Sequence, residues 1–372
     1  MGKKVIIAFL GNVKYDARCI NISNTLFNYG YKVIIVDELD GENNILEHDR
    51  FKIIHIDTKT KTGITRYWKY HFNVQKIARY EKPDIFISAD LFSLAVCSYQ
   101  NKHCIKIFDS REIYSKLASL VGKPIKQFFW FLYEKKYYKK MDKVLVTAEK
   151  DKDFLISQYG YKDIEIIFNF PAIQTNKCKI NLRDKFKITE NNKIFIYQGV
   201  VQEGRGIEEM INLLTYFKDC VACIVGDGEY KSEIINLVQK LKITNRVFFT
   251  GKIPYTELLS LTKQADIGFS LIQPLSESYK QALPNKLFEY GLAGIPTIGS
   301  DFIEMKIYIK KFKLGIAVPS SSVREHINAV QKLLMWDDSN RLINTVKDNL
   351  TWESQESKFI KIFDKNYEIK YN

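Results

Sequence analysis

A chain of 372 residues exceeds what one ordinary core organises and suits two domains of roughly 150–190 residues each. Hydrophobic residues make up 46% and charged residues 27%, a balance that folds throughout and excludes a long disordered tail. The net charge of +13 sits mostly in the first half: residues 1–180 hold 30 Lys+Arg against 20 Asp+Glu, the remainder 26 against 23.

Taken in chain order, apolar runs alternate with helical patterns. Val5–Leu10 reads as a buried strand, and the opening Met1-Gly-Lys-Lys-Val as a strand start rather than a signal peptide. Asn21–Tyr29 reads as a helix ended by Gly30-Tyr31, and Lys32–Asp37 and Phe51–Ile56 as strands. A helix near Tyr67–Tyr80, strand Asp84–Ser88, helix Phe92–Asn101, strand Lys106–Asp109, helix Ile125–Lys140 and strand Lys143–Thr147 follow. Residues 171–192 break the rhythm with polar, turn-rich sequence and are expected to link two domains.

The alternation then restarts. Strands are expected at Lys193–Gln198, Val221–Val225, Val247–Thr250, Ile267–Leu271 and Pro296–Gly299. Helices are expected at Ile207–Phe217, Ser232–Leu241, Thr256–Ala265, Leu287–Ala293, Val323–Met335 and Trp352–Tyr367. Strands that alternate with helices predict parallel sheets covered on both faces. The expected class is α/β, with two Rossmann-like doubly wound domains facing a central cleft: 1–170, a linker 171–192, 193–350, and a C-terminal helix 351–372 returning to the first domain. Ligands in such sheets lie beyond the carboxyl ends of the strands.

No apolar run approaches the ~20 residues that span a bilayer. Of six cysteines only Cys220 and Cys223 share a zinc-like gap, and they lie inside an apolar run, so core thiols in a reducing compartment are expected. His48, His55, His71, His103 and His326 match no motif.

Five segments of the second half carry chemistry. Tyr197-Gln-Gly-Val-Val-Gln-Glu-Gly-Arg-Gly-Ile-Glu-Glu is a strand, a glycine loop with one arginine, and a helix start, a combination that favours an anion. Ile224-Val-Gly-Asp-Gly-Glu-Tyr is a second strand-to-helix glycine turn. Val247-Phe-Phe-Thr-Gly-Lys-Ile-Pro-Tyr-Thr-Glu-Leu and Ala265-Asp-Ile-Gly-Phe-Ser follow. Pro284-Asn-Lys-Leu-Phe-Glu-Tyr-Gly-Leu-Ala-Gly-Ile-Pro then places Asn285 and Lys286 at a helix start and Glu289 one turn inside.

In this order the segments resemble the donor lobe of GT-B glycosyltransferases, specifically glycosyltransferase family 4. The resemblance covers Lys193–Val318 well and the N-terminal half more loosely. It implies a retaining, metal-independent transfer from a nucleotide sugar, UDP-linked by expectation, with no cofactor because the donor is a substrate. It implies that Glu289 holds the ribose hydroxyls and that the helix start formed by Pro284, Asn285 and Leu287 binds the diphosphate through its free backbone N–H groups, with charge from Lys286 and Arg205. Gly199, Gly226 and Gly228 are expected to let backbone approach donor and acceptor. Gln281 stands where the family has a sugar-binding glutamate, and Val200 where it has an arginine. In the first half, Gly11-Asn-Val-Lys-Tyr-Asp-Ala-Arg resembles the family loop ending Asp-x-Arg, which makes Gly11, Asp16 and Arg18 acceptor candidates. Asp90 and Glu112 join them from Ser88-Ala-Asp and Asp109-Ser-Arg-Glu, where Arg111 replaces a family histidine and is expected to assist the leaving group.

Residues 116–143 hold eight lysines against Glu134 and Asp142, interleaved with seven aromatics. Such mixtures suit an anionic membrane surface, and Tyr67–Phe72 forms a second patch. The alternative is a core helix whose rings face the sheet. No nucleic-acid motif accompanies the basic surface. The expected protein is cytoplasmic and peripheral on the inner membrane face, with a lipid-linked or envelope glycan as acceptor. Two other readings stay open: a degenerate GT-B protein that binds a glycan or partner, and a sugar-nucleotide epimerase.

Overall fold

The computed structural model describes residues 2–39, 45–47, 50–58, 63–116, 120, 122–174, 177–275, 277–280 and 282–371. The chain divides into two compact units, 1–169 with 355–372, and 170–354.

Among the described residues, the first unit holds strands β1 (Lys4–Ala8), β2 (Lys32–Glu38), β3 (Ile45–Glu47), β4 (Lys52–Ile56), β5 (Ile85–Ser88), β6 (Ile105–Ser110), β7 (Lys143–Val146) and β8 (Ile164–Ile166). They form one sheet in the order β3-β4-β2-β1-β5-β6-β7-β8, parallel except where β3 runs against β4. The second unit holds β9 (Lys193–Gln198), β10 (Cys220–Val225), β11 (Val247–Gly251), β12 (Ile267–Ser270), β13 (Thr297–Ser300) and β14 (Gly315–Val318), ordered β11-β10-β9-β12-β13-β14 and parallel throughout. Both sheets are doubly wound and reverse direction beside their first strand, at β1/β5 and β9/β12. Loops leaving those strands part there and open a crevice.

The apolar runs explain the sheets. Val5, Ile6 and Ile7 of β1 and Phe195 and Ile196 of β9 are fully buried, as central parallel strands covered on both faces must be. Five of the six cysteines, including Cys220 and Cys223, are buried thiols. Helix starts are set by short polar side chains: Asp16 accepts from the Cys19 N–H at 2.7 Å, and Asp90 from the Ser93 N–H at 2.8 Å.

Several elements exceed the sequence reading. Strand β14, helices Glu149–Tyr159, Ile303–Phe312 and Ser339–Asn349, and the short edge strands β3 and β8 were not expected. The segment 171–192 clusters with the second unit and carries helix Leu182–Phe186, capped by Asn181. Helix Trp352–Tyr371 continues into the first unit. There Gln355 both accepts from the Phe168 N–H at 2.9 Å and donates to its carbonyl at 2.6 Å, Thr25 donates to Glu356 at 2.6 Å, and Phe359 and Phe363 are buried.

Helix Pro124–Tyr138 divides its rings between two sides. Trp130, Phe131 and Tyr133 pack toward the core, and Trp130 meets Phe92 edge-on at 5.5 Å. Ile125, Phe128, Phe129 and Leu132 stay exposed, as do the stacked Trp68 and Phe72 of helix Gly63–Glu81. No helix among the described residues is long and apolar enough to cross a membrane.

On the inner side of Pro124–Tyr138, Glu134 is fully buried. Its Oε2 accepts from the Tyr159 hydroxyl at 2.9 Å, and its Oε1 has no partner. Burial pushes this carboxyl up to about 8, opposed by the Tyr159 bond. The native state therefore keeps a proton that the unfolded chain, near 4.5, releases, and stability falls as pH rises between those values. Glu134→Gln should remove this slope, raising the unfolding free energy over wild type by roughly 3–5 kcal/mol at pH 8 and by almost nothing at pH 4. Urea denaturation across that range checks it.

Candidate active site

In the second unit the chemistry collects at the carboxyl ends of β9 and β10 and at the start of helix Lys286–Ala293. Gly199, at φ +132°, turns the chain out of β9 in a conformation that only glycine adopts readily, and a Cβ there would meet only the Tyr197 hydroxyl, at 3.7 Å. Gly226 and Gly228 are bare because neighbouring backbone approaches them closely. A Cβ on Gly226 would lie 1.9 Å from the Gly199 carbonyl oxygen, and one on Gly228 2.1 Å from that of Val201. Their bareness lets the two glycine turns pack backbone to backbone.

Arg205, Lys286 and Glu289 share this end of the sheet, and Glu208 is near enough to act on the Tyr197 ring. Lys286 is buried, with Nζ 3.9 Å from the centre of the Tyr197 ring. The Arg205 guanidinium lies 4.5 Å above the Tyr279 ring, and Glu289 is partly buried. Burial, then repulsion from Arg205, holds the Lys286 ammonium well below its ordinary range, against the pull of Glu289. Burial pushes Glu289 up to about 7, opposed by a hydrogen bond from Gln198 and by Lys286. An anion placed beside Arg205 and Lys286 would favour the charged form of the lysine.

The helix start offers less than expected. The Leu287 N–H is turned back onto the Pro284 carbonyl at 3.1 Å, so it is not free for a ligand. The Asn285 side chain makes no capping bond. Gln281 lies outside the described residues. Val200 is exposed, and its carbonyl accepts from the Tyr197 hydroxyl at 2.6 Å.

In the first unit the motif residues converge, but on each other. Arg18 is 1% exposed. Its Nε lies 2.9 Å from both oxygens of Asp109, its Nη2 donates to Asp109 at 2.7 Å, and its Nη1 donates to the Ile167 carbonyl at 2.7 Å. Arg111 completes the group. It donates to Asp109 at 3.0 Å and Asp16 at 2.6 Å, and its Nη2 sits 3.1 Å from the Cys19 sulfur. Burial by itself would raise Asp109, but the two guanidiniums outweigh it and hold the carboxyl below its usual range. Asp90 is also buried. One oxygen accepts from the Ser93 N–H and hydroxyl, both at 2.8 Å, and the other from the Leu10 N–H across the β1/β5 switch point.

Arg18 and Asp90, expected to contact an acceptor, are therefore used up inside the fold: their polar atoms are satisfied and their surface is covered. Asp16, Arg111 and Glu112 keep exposed surface. Gly11 sits against the Phe9 ring, 2.8 Å from where a Cβ would be, and its carbonyl accepts from the Glu38 N–H at 2.8 Å.

The sequence reading passed over Asp109 as the shared partner of two arginines. It also missed Gln198 and Thr262 behind Glu289, and the Tyr197 and Tyr279 rings beneath the cations. A tyrosine next to last in the strand that leads into the glycine loop was the available signal for Tyr197. The other contacts depend on tertiary pairing.

Comparison with known proteins fits this geometry. Residues 179–348 match the model of the family described as "Glycosyl transferases group 1". An uncharacterised glycosyltransferase of Methanocaldococcus jannaschii, MJ1069, is 22% identical over 319 residues, which is 81% of this chain and 79% of that protein. Among solved structures, sucrose-phosphate synthase from Thermosynechococcus elongatus superposes with a TM-score of 0.78 at 15% identity, covering 99% of this chain and all of that one. Anabaena HepE in complex with UDP and glucose gives 0.72 at 13% identity, over 98% of this chain and 100% of that one. The fold is that of the GT-B glycosyltransferases, two Rossmann-like parallel-sheet units in one chain. Its second unit carries a glycosyl transferases group 1 domain, and the reaction class is glycosyl transfer.

Because Asp109 neutralises two guanidiniums away from water, Asp109→Ala should cost about 3–5 kcal/mol of stability by stranding Arg18. Asp109 is depressed in the native state, so its contribution is complete above the unfolded value near 4 and is lost as pH falls below it. Denaturant titrations of both proteins at pH 7 and pH 3 should show the gap narrowing in acid.

Proposed function

We propose that this protein is a retaining glycosyltransferase that moves a sugar from a UDP-linked donor to a hydroxyl of a lipid-linked or cell-envelope glycan. The observation that carries the donor half is the cluster of Arg205, Lys286 and Glu289 at the carboxyl end of the second sheet. A nucleoside diphosphate supplies what is missing: negative charge for Arg205 and Lys286, and a vicinal diol to donate to Glu289. HepE was crystallised with UDP and glucose, which supports the uridine assignment.

In the reaction the bond from the anomeric carbon to the diphosphate oxygen breaks, and the bond to the acceptor oxygen forms on the same face. The acceptor proton passes to the departing phosphate. Negative charge grows on the diphosphate, where Arg205 and Lys286 stabilise it, and no metal is required. Gly11, Asp16, Arg111 and Glu112 are the acceptor-side residues that retain accessible surface. Glu289→Ala should weaken UDP binding about tenfold or more through loss of hydrogen bonds to a charged acceptor. Arg205→Ala should lower turnover more than donor affinity, and EDTA should leave the wild-type rate unchanged. Hydrolysis or transfer from UDP-sugars, with calorimetric UDP binding, measures all three. A strict need for a divalent ion would overturn the mechanism.

The acceptor half rests on the basic first unit. We place this enzyme peripherally on the inner face of the membrane, with Ile125, Phe128, Phe129 and Leu132 meeting lipid and Lys135, Lys136, Lys139 and Lys140 meeting anionic headgroups. Several lysines, each worth about 1 kcal/mol near such a surface, make the association useful but salt-sensitive. Charge reversal of those four lysines to glutamate should release the protein from anionic vesicles in sedimentation and leave UDP binding intact. Equal binding to neutral vesicles would assign the basic face another purpose.

A further inference from the structure

Behind the ribose-binding candidate lies a buried amide. Gln198 is the last residue of β9 and is 3% exposed. Its side-chain N–H donates to Oε2 of Glu289. Its Oε1 lies 2.8 Å from the hydroxyl of Thr262, which is fully buried at the end of helix Tyr255–Thr262. Its backbone N–H donates to the Tyr290 hydroxyl at 3.1 Å, which in turn donates to the carbonyls of Phe269 at 3.2 Å and Ile196 at 3.3 Å. One residue thus ties the strand, two helices and the carboxylate together.

We propose that Gln198 is the positioning residue for Glu289, holding its carboxylate ionised and aimed so that the free lone pairs receive the ribose hydroxyls. The proposal rests on the donor reading above and deepens it. The chemistry of an amide is what the place demands. A buried carboxylate needs a donor, which glutamate or leucine at 198 lacks, and a neutral donor adds no third cation to a site that already crowds two. The donor must also be kept facing Glu289, because an amide presents either end. Thr262 does this by giving Oε1 a proton to accept. Its hydroxyl also has the Leu258 carbonyl at 2.8 Å as a second acceptor, so without Gln198 the Thr262 proton still has a partner. Removing the amide therefore strands nothing at that end and isolates its effect on Glu289.

Calorimetric binding of UDP, GDP and ADP, each beside its 2′-deoxy counterpart, tests this with the full-length wild type, Gln198→Met and Thr262→Val. Methionine keeps the length and loses the donor; valine keeps the shape of threonine and frees the amide to turn. Wild type should prefer the ribonucleotide of at least one pair about tenfold or more, the worth of a hydrogen bond to a charged group. Gln198→Met should lose most of that preference while its affinity for the deoxynucleotide changes less than about threefold, and Thr262→Val should fall between. Thermal midpoints of the three proteins identify any variant that fails to fold, and the other then decides. Parallel loss of both affinities, or an unchanged preference, would mean that Gln198 only supports the strand and would overturn the proposal. Absence of any ribose preference in the wild type would instead remove the Glu289 assignment, and this inference with it.

Discussion

A carboxylate taken out of water has few stable states, and this chain uses several of them. Asp109 meets two guanidiniums and stays ionised. Asp90 meets backbone and hydroxyl donors. Glu134 finds one tyrosine and keeps its proton. Glu289 stands between, with one amide, one buried ammonium and open lone pairs. The first two residues are committed to the fold. The last is the one with capacity left for a ligand, and this difference in satisfaction separates binding candidates from structural ones more sharply than motif membership does.

That distinction marks where the sequence was legible. The parallel sheets were readable because strands buried on both faces are written as apolar runs, such as Val5-Ile-Ile-Ala and Ile194-Phe-Ile-Tyr. That Arg205, Lys286 and Glu289 come together was readable because they lie inside local motifs whose spacing survives in one dimension. Arg18 was misread because its partner is 91 residues away, and a buried arginine and a ligand-facing one are written with the same letter. Gln198 was invisible for a similar reason: Tyr-Gln-Gly reads as a strand end, and nothing local reveals that the amide reaches Glu289, 91 residues on.

The glycine turns show a related ambiguity. Gly199, Gly226 and Gly228 look alike in sequence, each following an apolar strand. At Gly199 the backbone conformation requires glycine and a side chain would meet no backbone within 4 Å, whereas at the other two another loop's carbonyl fills the place of the side chain. Substituting alanine at Gly226 would push on the turn that carries Gly199, so loss of donor binding in such a variant would report a displaced loop rather than a lost contact.

The interrupted sequence of the first unit has a consequence for synthesis. Helix Trp352–Tyr371 supplies Phe359 and Phe363 to a core whose other residues precede position 170. Between them the ribosome must make the second unit, about 185 residues, which at bacterial and eukaryotic elongation rates takes roughly 10–40 s. For that interval the nascent first unit lacks the side chains that cover Tyr31 and answer Thr25 and Phe168. It waits with an apolar strip uncovered while the later unit has time to fold, so chaperone demand should concentrate on this gap, and late premature termination should be more damaging than the few missing residues suggest.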